Sequence, residues 1–371
     1  MAVLLVWATF INAGEVVWTG LGADDRWSNT DNWQGGVLPT ENDDIAFADI
    51  DWWNPGSRHA SVTIDATARA RDLDFFNYGN ARPFANMTIL PGADYSLSNE
   101  RIDQGESGHL YHQSGGTHVV TGDFSYTTWK GDFSMTGGIF EVGGTFNAGQ
   151  EHGDFSISGG QLQATNFQIG GPYAPSSFSI GSNAQVTVTN ELTIHKTDYE
   201  QFETGTIFSF DSPIIMHGAD FVNELEEYWD PHTGFNSMSL VFDGGLTDIS
   251  TFEVGGGDYG PDVTAFVGDN YAIDTLQVGD IDGLELGYVL LLDTIDNYSS
   301  ISGNEALYVN NLILGSGSYL DLNGLNLYCL NLVDYGATID LNGGQLHVIP
   351  EPCTLLLLGL GAVMFRKKRS F

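Results

Sequence analysis

The sequence contains 48 acidic side chains in 371 residues, so paired carboxylates are the first chemistry to consider. Asp132 and Asp154 stand out, because "GDFSMTGGIFEVGGTF" from Gly131 and "GDFSISGGQLQATNF" from Gly153 align at a spacing of 22 residues. Two carboxylates at one position of adjoining turns of chain repel unless a cation or a shared proton relieves them. Asp132 and Asp154 are therefore a candidate for a weak calcium site of the extracellular kind, completed by main-chain carbonyls at the glycine corner. The competing reading is a solvated turn, and no other cofactor is implied. The second chemistry is sugar stacking by Trp52 and Trp53 in "DIDWWNPGSRH" and by Trp229 in "ELEEYWDPHTGF". In a strand, successive side chains alternate between faces, so Trp52 and Trp53 cannot both point inward. An outward indole offers a platform to a glycan; packing in a core or loop is the alternative. The catalytic signatures HExxH and GxSxG are absent, as are a P-loop and a GxGxxG between strand and helix, and the nine histidines are scattered.

Charge narrows the partners. A formal net charge of -36 repels nucleic acid, anionic lipid and acidic polysaccharide. A lyase acting on uronates needs cations to hold its substrate and a base to take the α-proton. No Lys or Arg occurs between Lys196 and Arg366. A hydrolase needs two carboxylates at a set separation, which so many acids supply by chance. The expectation is a non-enzymatic protein with a structural or adhesive role. The alternative is a carbohydrate-active one, a glycan-binding module or a polysaccharide hydrolase or lyase, with extracellular polysaccharide as its partner.

The elements that would position these residues follow from the repeats. Phe133 and Phe155, Met135 and Ile157, and the pairs Gly137-Gly138 and Gly159-Gly160 recur at 22 residues, and Tyr111, Gln113 and Gly115-Gly116 extend the series backwards. Such a period, with short alternating runs and glycine corners, predicts one circuit of a β-solenoid per repeat, with equivalent residues stacked about 4.8 Å apart. A second register, at 19 residues, links "YLDLNGLNLY" from Tyr319 to "TIDLNGGQLH" from Thr338 and places Asn323 and Asn342 at a corner, each amide bonding to a neighbouring coil. The fold expected is all-β, a right-handed parallel β-helix. Residues 15–105 form a Trp-rich β cap and first coils, with Trp18, Trp27 and Trp33 closing the open end. Residues 106–349 form the solenoid, with an irregular excursion at about 211–238. Cys329 and Cys353 are the only cysteines, too few for a disulfide framework.

Four of the twelve basic residues, Arg366, Lys367, Lys368 and Arg369, fall in the last six positions. They follow the apolar run Thr354 to Phe365, read as a C-terminal hydrophobic helix held in the membrane, its basic end on the cytoplasmic side. Pro350, Glu351 and Pro352 precede it. This order of motif, apolar run and terminal basic cluster, over residues 350–371, resembles the PEP-CTERM sorting signal of bacterial exported proteins. The resemblance implies a tag read by an exosortase-like membrane enzyme that cleaves near Pro350-Glu351-Pro352 and releases the chain to the cell surface or extracellular matrix. At the other end "MAVLLVWATFINAG", residues 1–14, offers an apolar stretch with small residues at Ala13 and Gly14, the pattern of a signal peptide. "VVWTGLGADDRWSNTDNWQGGVLPTENDDIAFAD" resembles the N-terminal module of autotransporter-passenger-like solenoids.

Overall fold

The computed structural model describes residues 14–47, 61–76, 86–104, 110–128, 130–149, 153–170, 175–196, 206–226, 233–298 and 303–349. The chain divides into two compact units, Met1–Ala164 and Thr165–Phe371.

In the first unit three parallel ladders share one interior. Glu15–Trp18, Asp44–Phe47, Asp72–Phe76, Asn99–Gln104, Phe124–Thr128 and the end of Asp132–Ala148 follow one another in the first. Ser61–Ile64 and Asn86–Ile89 lead into the starts of Leu110–Val120 and Asp132–Ala148 in the second. Thr67–Arg69 and Asp94–Leu97 lead into the ends of those two long strands in the third. From Asp44–Phe47 onward each strand meets its parallel neighbour only after the chain has visited the other ladders, which is the circuit of a β-helix. Alternation sets the inward face: Phe133 and Met135 are buried while Ser134 between them is half-buried.

The 22-residue register holds. Tyr111 and Phe133 are parallel rings 4.6 Å apart, and Phe133 and Phe155 lie 4.3 Å apart at an interplanar angle of 6°. The glycine pairs are the corners. Gly116, Gly138 and Gly160 have φ of 70°, 91° and 92°, the left-handed region that side chains with a Cβ resist, and the ladder slips register on both sides of Gly137. A Cβ on Gly138 would lie 2.6 Å from the carbonyl of Gly115 in the preceding coil. Gly138→Ala should therefore cost about 2–4 kcal/mol by denaturant unfolding, because strain and a backbone clash coincide. A loss below about 0.5 kcal/mol would show that the corner relaxes.

In the second unit the long strand Ser177–Ile194 pairs in parallel with three short ones in turn, Ile207–Phe210, Ile214–Met216 and Asp220–Asn223. Two of these lie within the stretch expected to leave the pattern, so residues 214–223 belong to the coils. Val186, Ile214, Leu240, Leu276 and Leu312 form one inward stack and Leu192, Phe221, Phe252 and Leu291 another. The 19-residue register also holds: Leu320 pairs with Ile339, Asp321 with Asp340 and Leu327 with Leu346. Asn323 and Asn342 occupy the left-handed region, with φ of 48° and 45°. Their amides bond one coil back, Asn342 to Asp321 at 2.8 Å and Asn323 to the Leu291 carbonyl at 3.1 Å. Cys329 is a buried free thiol between Val309 and Val348, and burial pushes it up to about 11. Among the described residues no helix is long and apolar enough to cross a membrane.

Candidate functional site

Trp52, Trp53, Trp229, Cys353, the sorting motif Pro350, Glu351 and Pro352, the apolar run after it, the basic tail Arg366, Lys367, Lys368 and Arg369, and residues 1–13 of the export signal all lie outside the described residues. Asp132 and Asp154 are described and exposed, one coil apart. The Asp132 carboxylate accepts the Asp154 backbone N–H at 2.9 Å. The same device recurs at another corner. Asn99 donates to Asp72 at 2.9 Å and accepts from the Asp123 N–H at 3.2 Å, and Asp123 accepts from the Thr145 N–H at 2.7 Å. These short side chains bond the outer edge of one coil to the next. Among the described residues no group of three or more His, Cys, Asp or Glu is placed to hold a metal ion.

Trp18, Trp27 and Trp33 pack together in the interior: Trp33 meets Trp18 and Trp27 edge-on at 4.9 Å and 4.7 Å, and its indole N–H donates to the Trp27 carbonyl at 2.8 Å. Asn32 is buried beside them. Its amide donates to the Asp24 and Arg26 carbonyls and accepts the Gly22 N–H.

The structure brings together residues that the sequence patterns did not single out. In the second unit Gly256–Gly257 pairs antiparallel with the start of Glu305–Leu314, placing Gly257 opposite Glu305 in an otherwise parallel stack. Only glycine allows this approach: a Cβ on Gly256 would lie 2.8 Å from the carbonyls of Ala306 and Asn270. The chain then turns out at Asp258, and a cleft of about 620 Å³ opens, lined by Asp258, Tyr259, Glu305 and Asn326 together with Gly303 and Asn304. The run "VGGGDYG" was the available signal, three glycines followed by an acid and an aromatic.

Two carboxyl groups border this cleft in opposite environments. Asp258 accepts from Asn326 Nδ2 at 2.7 Å, from the Tyr328 hydroxyl at 2.8 Å and from the Gly260 N–H at 3.0 Å. Glu305 is 5% exposed; one oxygen accepts the Tyr298 N–H at 2.6 Å, and the other, closed off from solvent, has no hydrogen-bond partner among the described residues. Burial, reinforced by the charges of Asp293 and Asp296, pushes the Glu305 carboxyl up to about 8. Tyrosines frame the site. Tyr259 donates its hydroxyl to that of Tyr298 at 2.9 Å and meets that ring edge-on, while the Tyr259 N–H donates to the Tyr308 hydroxyl at 2.9 Å. Tyr308, Tyr328 and His347 stack at 4.8 Å and 5.0 Å on successive coils. Tyr259 remains 50% exposed beside the cleft.

A second polar cluster is wholly interior. In the first unit Glu100 sits in the inward stack Ile45, Leu73, Glu100, Phe124, Phe146, and His118 in the stack Ala68, Tyr95, His118, Phe140. Both side chains are fully buried, with His118 Nε2 2.9 Å from a Glu100 oxygen, off the line of a hydrogen bond. The other imidazole nitrogen, Nδ1, is 2.7 Å from the Tyr111 hydroxyl, which in turn donates to Gln113 Oε1 at 3.2 Å, and Gln113 Nε2 donates to the Ile139 carbonyl at 3.0 Å. One coil of the apolar interior is therefore polar. Burial, together with the charge of Glu100, pushes the Tyr95 and Tyr111 hydroxyls far above their ordinary range.

Fold and sites together define an all-β protein of the parallel β-helix class, with a polar cleft at the antiparallel break in its second unit. No family model, curated protein or solved structure matches the chain.

Proposed function

We propose that the chain is an exported β-solenoid of the cell surface or extracellular matrix, with a structural or adhesive, non-enzymatic role, routed by a C-terminal tag that an exosortase-like membrane enzyme reads. The observation that carries this reading is the tail: Pro350-Glu351-Pro352, then an apolar run, then Arg366-Lys367-Lys368-Arg369, in a chain otherwise poor in basic residues. The body suits the role. Its coils are joined by backbone ladders and, at their outer corners, by Asp and Asn bonds, and the acidic surface keeps such a scaffold solvated. In this reading the coils wind right-handed, as parallel crossovers do. Trp18, Trp27 and Trp33, buried together, cap the first coil, and residues 354–365 form a hydrophobic helix held in the membrane until cleavage.

The test is the mass of both termini of protein recovered from culture medium and from membranes. The extracellular form should end near Glu351 and lack "FRKKRSF". Deleting residues 366–371 should change the destination and leave the melting temperature within about 2 °C. An intact tail on soluble extracellular protein would overturn the sorting reading, and a large loss of stability on deletion would make the tail part of the core.

A further inference from the structure

We propose that the cleft bordered by Tyr259, Asn304, Glu305 and Asn326 binds a neutral, hydroxyl-rich glycan. This goes beyond the export reading and does not rest on it. The cleft, about 620 Å³, has the size of a small-ligand site, and its walls are polar: amides at Asn304 and Asn326, carboxyl groups at Asp258 and Glu305, and open backbone at Gly260, Gly303 and Gly324.

Three observations select the ligand. Among the described residues no Lys, Arg or His lines the cleft, and the chain carries a net charge of -36, so an anionic ligand is repelled. Among the described residues large apolar side chains are nearly absent from the walls, with Leu325 the only aliphatic one, so an apolar ligand gains little there. Tyr259 is held by its hydroxyl and its edge contact to Tyr298 yet is half exposed, the arrangement in which an aromatic ring accepts the C–H face of a sugar without loss of its own freedom. The fourth observation is independent of these. Glu305 lines the cleft and is more than nine-tenths buried; one of its oxygens is closed off from solvent and has no partner among the described residues, whereas Asp258 beside it already receives three hydrogen bonds. A hydroxyl both donates and accepts, so a sugar hydroxyl can satisfy such a group in either protonation state. The glycan would lie against Tyr259 and exchange hydrogen bonds with Asn304 and Asn326, and a hydroxyl reaches the free Glu305 oxygen only where the carboxyl turns toward the cleft.

The experiment is affinity electrophoresis of the full chain in native gels containing neutral polysaccharides (β-glucan, mannan, xylan) or anionic ones (polygalacturonate, alginate). Retardation by at least one neutral polymer and by neither anionic polymer is expected. Tyr259→Ala should weaken it about tenfold, the scale of one lost aromatic platform. Tyr259→Phe should retain most of it, and Asn304→Ala should weaken it severalfold. Melting temperatures of all three variants, measured beside wild type, separate binding loss from unfolding. No retardation by any neutral polymer, or equal retardation of wild type and a folded Tyr259→Ala, would overturn the site. Release of reducing ends that Glu305→Gln abolishes would overturn a pure binding role in favour of hydrolysis.

Discussion

Glu100→Ala should cost about 3–5 kcal/mol of unfolding free energy, and so should His118→Ala, because each leaves its partner's charge or dipole stranded in a dry interior. The double replacement Glu100→Leu with His118→Phe should recover most of that loss and can exceed wild type by about 1–3 kcal/mol. The stacks dictate the choice of residues. Leu73 and Phe124 flank Glu100 on the adjoining coils, and Tyr95 and Phe140 flank His118, with the imidazole already stacked on Phe140 at 4.1 Å. Tyr111 keeps Gln113 as its acceptor when His118 becomes Phe. Denaturant unfolding of the two single variants and the double variant, arranged as a mutant cycle, measures the coupling. Losses that simply add would mean that Glu100 and His118 act separately and that the interior pair is not a unit.

Much of this rung was legible before the structure. Tyr111 and Gln113 already aligned with Phe133 and Met135 at 22 residues, so a polar residue at an apolar position of the repeat was in view. Glu100 and His118 were not, since they belong to the other two ladders of the coil, where no short motif repeats. The same contrast runs through the second unit. The 19-residue register around Asn323 and Asn342 was readable because the corner residues repeat with the strands, and its pairings are those observed. Leu240, Leu276 and Leu312 stack at intervals of 36 residues, but Val186, Ile214 and Leu240 stack at 28 and 26. Unequal loops erase a fixed period while leaving the ladder intact, because loop length costs little once the strands pair. The cleft is hardest of all to read, as it depends on one antiparallel pairing between Gly257 and Glu305, 48 residues apart in sequence. Asp132 and Asp154 were legible as a repeating pair, and the structure adds a partner for the first: the Asp132 carboxylate takes the next coil's N–H, which gives Asp132 a structural role.

The second large effect concerns Glu305 and pH. Its carboxyl stands at about 8 in the folded chain against 4.5 for an ordinary glutamate, chiefly because it is buried, with Asp293 and Asp296 adding to the effect and the N–H groups of Tyr298 and Asn297 opposing it. Below pH 4.5 the group is protonated in both folded and unfolded chains and contributes no pH dependence. Between 4.5 and about 8 the unfolded chain releases the proton while the folded chain keeps it, so stability falls as pH rises. Above about 8 the folded chain carries the charge as well, and the full penalty, on the order of 5 kcal/mol at most, is in place. Glu305→Gln keeps a carbonyl oxygen for the Tyr298 N–H and cannot ionise. Its unfolding free energy should equal that of wild type near pH 4.5 and exceed it by a few kcal/mol at pH 9. The acidic surface adds its own slope to both proteins, and the difference between them removes it. Denaturant titrations at pH 4.5, 6, 7.5 and 9 read this difference directly. A constant offset across that range would place the Glu305 carboxyl in water, and with it would go the burial of its unpartnered oxygen.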